Sequence, residues 1–422
     1  MKRKLLFGER MLYGDGQSPF NMVIPLKIKG HIELNKLELA LLKIQKKHPW
    51  LTASIIRYND KRPWFTTHPA ESFKVNIRIV DRSGDDDWKR ESETEWAKTF
   101  DASQSPLFRV TWIKGEEFSE FLLVFHHCLC DGSTGISILK EFLLLADNPE
   151  TEIGEEIPIQ GIEDIVPAKV LKSLRKRTKH SLIGKIATLA LWIIPIKKVA
   201  VDRKRDYMLH WKFDEQFSTA ILLFCKSNGF TVNTLLSATI LKAFKEILAA
   251  KSFNKISLPV DIRNLNPLIK KDHVFAFGLM IVLSASNSAS FLEGVKLLQE
   301  DVNRKLAKLD PYSLMMMMEA CHPSLENFSN LLKYGKTSND CMFSNLGKLD
   351  IPHEYENFLL ETIYSPSVMG PLGNTTTILT STFRKQMDFS FMASEGYLTY
   401  NDAELIKGKV ISLLKENIGT YH

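Results

Sequence analysis

Cysteine is scarce in this sequence: five of 422 residues, Cys128, Cys130, Cys225, Cys321 and Cys341, an odd number spread along the chain. That excludes a disulfide-framed scaffold and points to a reducing compartment. Long apolar runs are missing at the N-terminus. After Met1-Lys2-Arg3-Lys4 only Leu5, Leu6 and Phe7 are apolar before Gly8, too few for the h-region of a secretory signal, so a cytoplasmic location is expected. Ser344 lacks a Gly-x-Ser-x-Gly elbow, which argues against a hydrolase nucleophile there. His126, Cys128 and Cys130 could begin a metal site, but a closed zinc site wants four ligands. No Cys-x-x-Cys or His-x-x-x-His pair elsewhere completes it, so no metal is expected. The net charge of +6 is not spread out either. Residues 169–205 hold twelve Lys or Arg against one acid, Asp202, so the remainder is net acidic. With no aromatics interleaved in the way base stacking needs, nucleic acid is not an expected partner.

What is present suits an α/β protein of two domains, because 422 residues exceed one ordinary core. Strand and helix signals alternate. Met22 to Gly30 reads as a strand, Asn35 to His48 carries apolar residues at helical spacing, and Leu51 to Tyr58 reads as a strand beyond the Pro49 stop. Trp88 to Phe100 predicts a helix, and Phe108 to Ile113 with Glu120 to Phe125 a hairpin that ends in His126-His127. A helix follows from Ser133 to Leu145. Three proline steps in residues 146–168 mark a crossover. The boundaries are accordingly 1–150 for an N-terminal unit, 151–206 for a linker with a basic apolar helix, and 207–422 for a C-terminal unit that repeats the alternation. In the linker, Leu182, Ile186, Leu189 and Ile193 form a stripe at helical spacing. Either it packs on the second unit, or it lies in a membrane interface with the lysines at headgroup level. Met315 to Met318, in a predicted helix, is an adaptable core face or a wall for a flexible acyl chain.

The run His126-His127-Cys128-Leu129-Cys130-Asp131-Gly132 carries the chemistry. Strand side chains alternate faces, so only one histidine faces a given cleft if the strand is regular that far. An imidazole suits general-base work near neutral pH, Asp131 can orient it or its loop, and Gly132 permits close backbone approach. A double histidine alone reads more readily as two satisfied imidazoles.

The His-His-x-x-x-Asp-Gly pattern resembles the signature of the condensation-domain superfamily, which includes chloramphenicol acetyltransferase and stand-alone alcohol and polyketide-associated acyltransferases. Leu37 to Leu41 with His48-Pro49-Trp50-Leu51, the strand Leu258-Pro259-Val260-Asp261-Ile262-Arg263, and Phe343-Ser344-Asn345-Leu346-Gly347 are similar to further motifs in the same order. The plant-type DFGWG loop is absent, and Val274 to Gly278 keeps only its Phe-Gly pair.

The resemblance implies two chloramphenicol-acetyltransferase-like subdomains forming a V with a central tunnel. His127 would stand at its middle as general base. His126, Asp131, Gly132 and Arg263 would be structural, Asp131 held by Arg263, while Ser344, Asn345 and Gly278 would line the tunnel. It further implies transfer of an acyl group from coenzyme A or a carrier-protein phosphopantetheine arm to an alcohol or amine, with no permanently bound cofactor. The resemblance allows an acyl carrier protein as a partner, residues 169–205 allow a peripheral membrane contact as the alternative to packing on the second unit, and the protein is otherwise expected to be a monomer. A non-catalytic condensation-like module that binds carrier proteins remains the alternative.

Overall fold

In the computed structural model, residues 1–57, 62–173, 201–277, 279–285, 288, 290–334 and 338–419 are described, with Leu182 and Ile186 as separate positions. The alternation read from the sequence becomes two large mixed sheets covered by helices, and a small three-stranded sheet that holds Ala53–Arg57 with Pro63–Thr67 and Lys2–Lys4. The first is built on the strand Asn21–Gly30, antiparallel to Phe118–His126, which in turn pairs with Phe108–Lys114 and, beyond it, Asn76–Asp81. The second has the order Leu279–Ser284, Lys255–Val260, Cys341–Lys348, Thr377–Phe383, Gln386–Ser394, Asp206–Lys212. In both, an antiparallel hairpin leads into a long amphipathic helix, Gly132–Asp147 after the first and Tyr400–Ile418 after the second.

One exchange was not legible in the alternation. Phe358–Ile363 and Ser367–Met369, which follow the second half's central strand, leave that sheet and pair antiparallel with Asn21–Gly30. The first hydrophobic core therefore includes Phe358, Leu360, Ile363 and Met369. Each large apolar side chain sealed there contributes about 1.5–3 kcal/mol, so the two halves stabilise one another through chain exchange.

The helix Leu34–Lys47 turns Leu37, Ala40, Leu41 and Ile44 inward and ends where Pro49 begins a 3-10 turn through Thr52, so the strand expected from Leu51 runs only over Ala53–Arg57. The linker up to Ser173 is extended with two short helices, Ile162–Ile165 and Ala168–Leu171. Leu182 and Ile186 are both exposed, while the remainder of the apolar stripe, Leu189 and Ile193, lies outside the described residues. Among the described residues no helix is long and apolar enough to cross a membrane. The methionine run lies in the helix Pro311–Ala320, where Met315 is buried against Ile165, Ile262 and Phe275 in a core that joins linker and second half.

A buried ionic knot closes the same seam. His48 Nε2 lies 2.7 Å from Glu141 and Nδ1 2.6 Å from Glu156. Lys47 Nζ also reaches Glu141 at 2.6 Å, and the other oxygen of Glu156 accepts the Val274 N–H at 2.9 Å. Burial alone would push the His48 imidazole down, but the two carboxylates outweigh it and raise it to about 9 from 6.5. A folded value above the unfolded one stabilises the protein fully below the unfolded value, and the contribution is lost as pH rises through the folded value. His48→Gln is expected to remove roughly 3 kcal/mol of pH-dependent stability between those limits. Urea unfolding below about pH 6.5 and above about pH 9 measures it. Equal pH slopes in the two proteins would refute the assignment.

Candidate active site

The strand Phe118–His126 is buried along almost its whole length and ends at His126. His127 opens a tight turn, so strict alternation does not extend across the pair. The two histidines are nonetheless separated by environment. His126 is buried, its ring packed near Tyr13 and Phe100 at 6.0 Å between centroids, with Nδ1 accepting the Cys128 N–H at 3.2 Å. Its surroundings lower it to about 3, through burial first and then His127 and Arg109, so it is a neutral packing group. His127 is partly exposed. Its backbone N–H donates to the Phe20 carbonyl at 2.7 Å, and its Nδ1 lies 3.0 Å from the Cys130 carbonyl. A carbonyl oxygen can only accept, so Nδ1 carries the proton and the lone pair of the neutral ring resides on Nε2. Burial lowers His127 below the ordinary imidazole value, against an opposing pull from the Cys130 carbonyl and Asp131.

Cys128 and Cys130 are fully buried, and burial pushes both thiols well up. They are packing residues of the first hydrophobic core, not thiolate nucleophiles. All five cysteines are free.

Asp131 caps the helix Gly132–Asp147. One carboxylate oxygen accepts the Thr134 N–H at 3.0 Å, and the other accepts from Arg263 Nη1 at 2.6 Å. Arg263 lies not in a strand, as the sequence suggested, but in the 3-10 turn Ile262–Asn264 that begins two residues beyond Lys255–Val260. The turn aims its buried guanidinium back at the motif, where Nη2 donates to Thr134 Oγ1 at 2.7 Å. The second half grips the loop further. The Asp131 N–H donates to the Phe275 carbonyl at 3.1 Å, Thr134 Oγ1 to the His273 carbonyl at 3.0 Å, and Ser133 Oγ to Asp261 at 2.8 Å.

Gly132 lies under the strand Cys341–Lys348: a Cβ on it would stand 2.8 Å from Leu346 Cδ2. That contact brings the strand bearing Ser344 and Asn345 over the motif. The Asn345 carboxamide accepts the Gly347 N–H at 2.8 Å and shapes the bulge where pairing with Thr377–Phe383 shifts register, so its role here is to turn the backbone. Gly278 lies outside the described residues. A cavity of about 580 Å³ bounded by Leu241, Lys242, Lys245, Phe291 and Leu298 belongs to the outer helices of the second half and contains none of the motif residues. Phe20, Thr134 and the carbonyls of His273 and Phe275 carried no signal in the sequence. They act through the backbone or across the seam, and no local pattern marks them.

Residues 5–156 match the Condensation domain family model. One of the plipastatin synthase subunits of Bacillus subtilis is 27% identical over 238 residues, which is 53% of this chain and 9% of that protein, and surfactin synthase subunit 1 of the same species is 30% identical over 31% of this chain and 4% of that protein. The chain thus spans less than a tenth of the length of these curated relatives. A trichothecene 15-O-acetyltransferase from Fusarium sporotrichioides superposes with a TM-score of 0.72 at 13% identity, covering 98% of this chain and 95% of that one. The first condensation domain of the CDA synthetase does so at 0.68 and 12% identity, covering 100% and 97%. Residues 5–156 are thus similar to the Condensation domain family, and the chain as a whole has the fold of these acetyltransferase and condensation-domain structures.

Proposed function

We propose that the protein is an acyltransferase that moves an acyl group from a thioester, on coenzyme A or a carrier-protein phosphopantetheine arm, to a hydroxyl or amine, with His127 as general base. The observation that carries this reading is the donation from His127 Nδ1 to the Cys130 carbonyl, which leaves Nε2 without a hydrogen-bond partner among the described residues, on a partly exposed ring. In the step it supports, Nε2 takes the proton of the acceptor O–H or N–H as that atom bonds to the thioester carbonyl carbon. The C–S bond then breaks, and the departing sulfur takes the proton back from the imidazolium. No group on the protein is acylated. Holding His127 below its ordinary value keeps the base form dominant at neutral pH, and the acid limb of the rate profile should therefore fall below the usual imidazole range.

Ester formation is the chemistry we favour over peptide-bond condensation. The acetyltransferase neighbour acts on an oxygen by its own description, which supports the same preference. The test is incubation of the purified chain with acetyl and longer acyl thioesters of coenzyme A and of a loaded carrier protein, against a panel of alcohols and amines. Free thiol release that depends on the acceptor, with acylated acceptor seen by mass spectrometry, is the expected result. Acceptor-independent release would indicate hydrolysis. No release with any donor would favour the carrier-binding module.

A further inference from the structure

The imidazole of His127 is held by more than its own motif. Phe20 ends the loop before the strand Asn21–Gly30 and meets His127 twice. Its carbonyl takes the His127 backbone N–H at 2.7 Å, and its ring stands edge-on to the imidazole, 5.2 Å between centroids at 73°. The Phe20 ring is braced from behind. A Cβ at residue 370 would stand 2.4 Å from both Cδ2 and Cε2 of Phe20, so the ring rests against backbone that only glycine leaves open. That backbone is itself tied down, since the Gly370 carbonyl accepts from Arg203 Nη1 at 2.8 Å. Gly370 directly follows the exchanged strand Ser367–Met369, so the second half supplies the brace.

We infer that Phe20 is a positioning residue, whose ring, backed by Gly370, fixes the plane of the His127 imidazole so that Nε2 keeps its aim. One hydrogen bond at Nδ1 is an axis, not a clamp. It leaves the ring free to tilt about the N···O direction, and water reaching the exposed edge would compete for Nδ1. A T-shaped aromatic neighbour removes the tilt because edge-to-face geometry has a preferred angle, and it keeps the flank of the ring dry. The groups that act on this ring are the Cys130 carbonyl and Asp131, and its titratable neighbour His126 is the one this ring in turn holds down; none of them changes in the variants below.

The inference rests on His127 being the base, but its primary test does not require activity. In ¹⁵N-imidazole spectra of the full chain, His127 should be a neutral ring protonated on Nδ1. In Phe20→Ala that population should become a mixture of tautomers, and the titration should move up toward the ordinary value of about 6.5. Gly370→Ala, which retains the ring but displaces it, should shift the same signals, and Phe20→Tyr, which retains the edge, should restore them. With an active substrate pair, kcat should fall about three- to tenfold in Phe20→Ala while KM stays near its original value. Unchanged tautomer and titration in both Phe20→Ala and Gly370→Ala overturns the inference, and so does a loss confined to KM. Retained transfer in His127→Ala would sink the base assignment alone, because the spectra report the tautomer and titration of the ring whatever the ring does.

Discussion

His127→Ala should fold as the parent does and lose acyl transfer by about 10²-fold or more, the size of effect that removing a general base produces. The side chain is partly exposed and, among the described residues, its ring makes one hydrogen bond, to the Cys130 carbonyl, so little of the core depends on it. The loss should appear in kcat and kcat/KM together, because the proton transfer belongs to the transition state. His126→Ala should behave in the opposite way. That ring is buried between Tyr13 and Phe100 and accepts a backbone N–H. Its removal leaves a cavity and an unsatisfied donor, a cost of about 2–4 kcal/mol in unfolding free energy. Activity per folded molecule should change much less than in His127→Ala. Kinetics at saturating acceptor, paired with urea unfolding of both variants, separate the two roles. Equal kinetic losses at unchanged stability, or a larger loss in His126→Ala, would reverse the assignment.

The parts of the site legible in the sequence are those whose chemistry is local. A strand running into a turn and a capped helix can be read from Phe118 to Asp147, because periodicity, a cap residue and a glycine are neighbours in the chain. Even so, strand alternation is not what separates the two histidines. The strand stops at His126, and it is burial against Tyr13 and Phe100 that decides which ring stays neutral and packed. The pairing of Asp131 with Arg263, 132 positions away, was accessible only through resemblance, since no spacing rule connects a helix cap to a turn in the other half. The exchanged strands Phe358–Ile363 and Ser367–Met369 were invisible for a related reason. Their pattern fits a strand in either sheet, and the choice is made by the open edge of Asn21–Gly30. Phe20 is the extreme case. Its two roles, a backbone acceptor and a ring seated on Gly370, leave no trace in residue type or period.

Arg263→Ala should be the most destabilising single change at the site. The guanidinium is buried and satisfies Asp131, Thr134 Oγ1 and, more distantly, Asp261 and the His273 carbonyl, reaching from the second half into the first. Its removal leaves the Asp131 carboxylate, about four-fifths buried, without its cation. Breaking a buried pair from one side costs about 3–5 kcal/mol, and the remaining exposure of Asp131 places the expectation at the lower end. Asp131→Asn should be milder. Asparagine caps a helix nearly as well as aspartate, and Asp261 still faces the arginine at 3.5 Å. The double variant Arg263→Ala, Asp131→Asn should therefore recover part of the loss, a positive coupling that a double-mutant cycle reads directly. Kinetics distinguish this structural role from a catalytic dyad. The proton on His127 Nδ1 is directed at the Cys130 carbonyl rather than at Asp131, so Asp131→Asn should reduce kcat only by loosening the loop, about tenfold or less. If Asp131 instead oriented the base directly, the same variant would lose about 10⁴-fold in kcat with its stability intact, as a wrongly held tautomer does. The cap and the arginine would then be incidental to a carboxylate whose task is the imidazole.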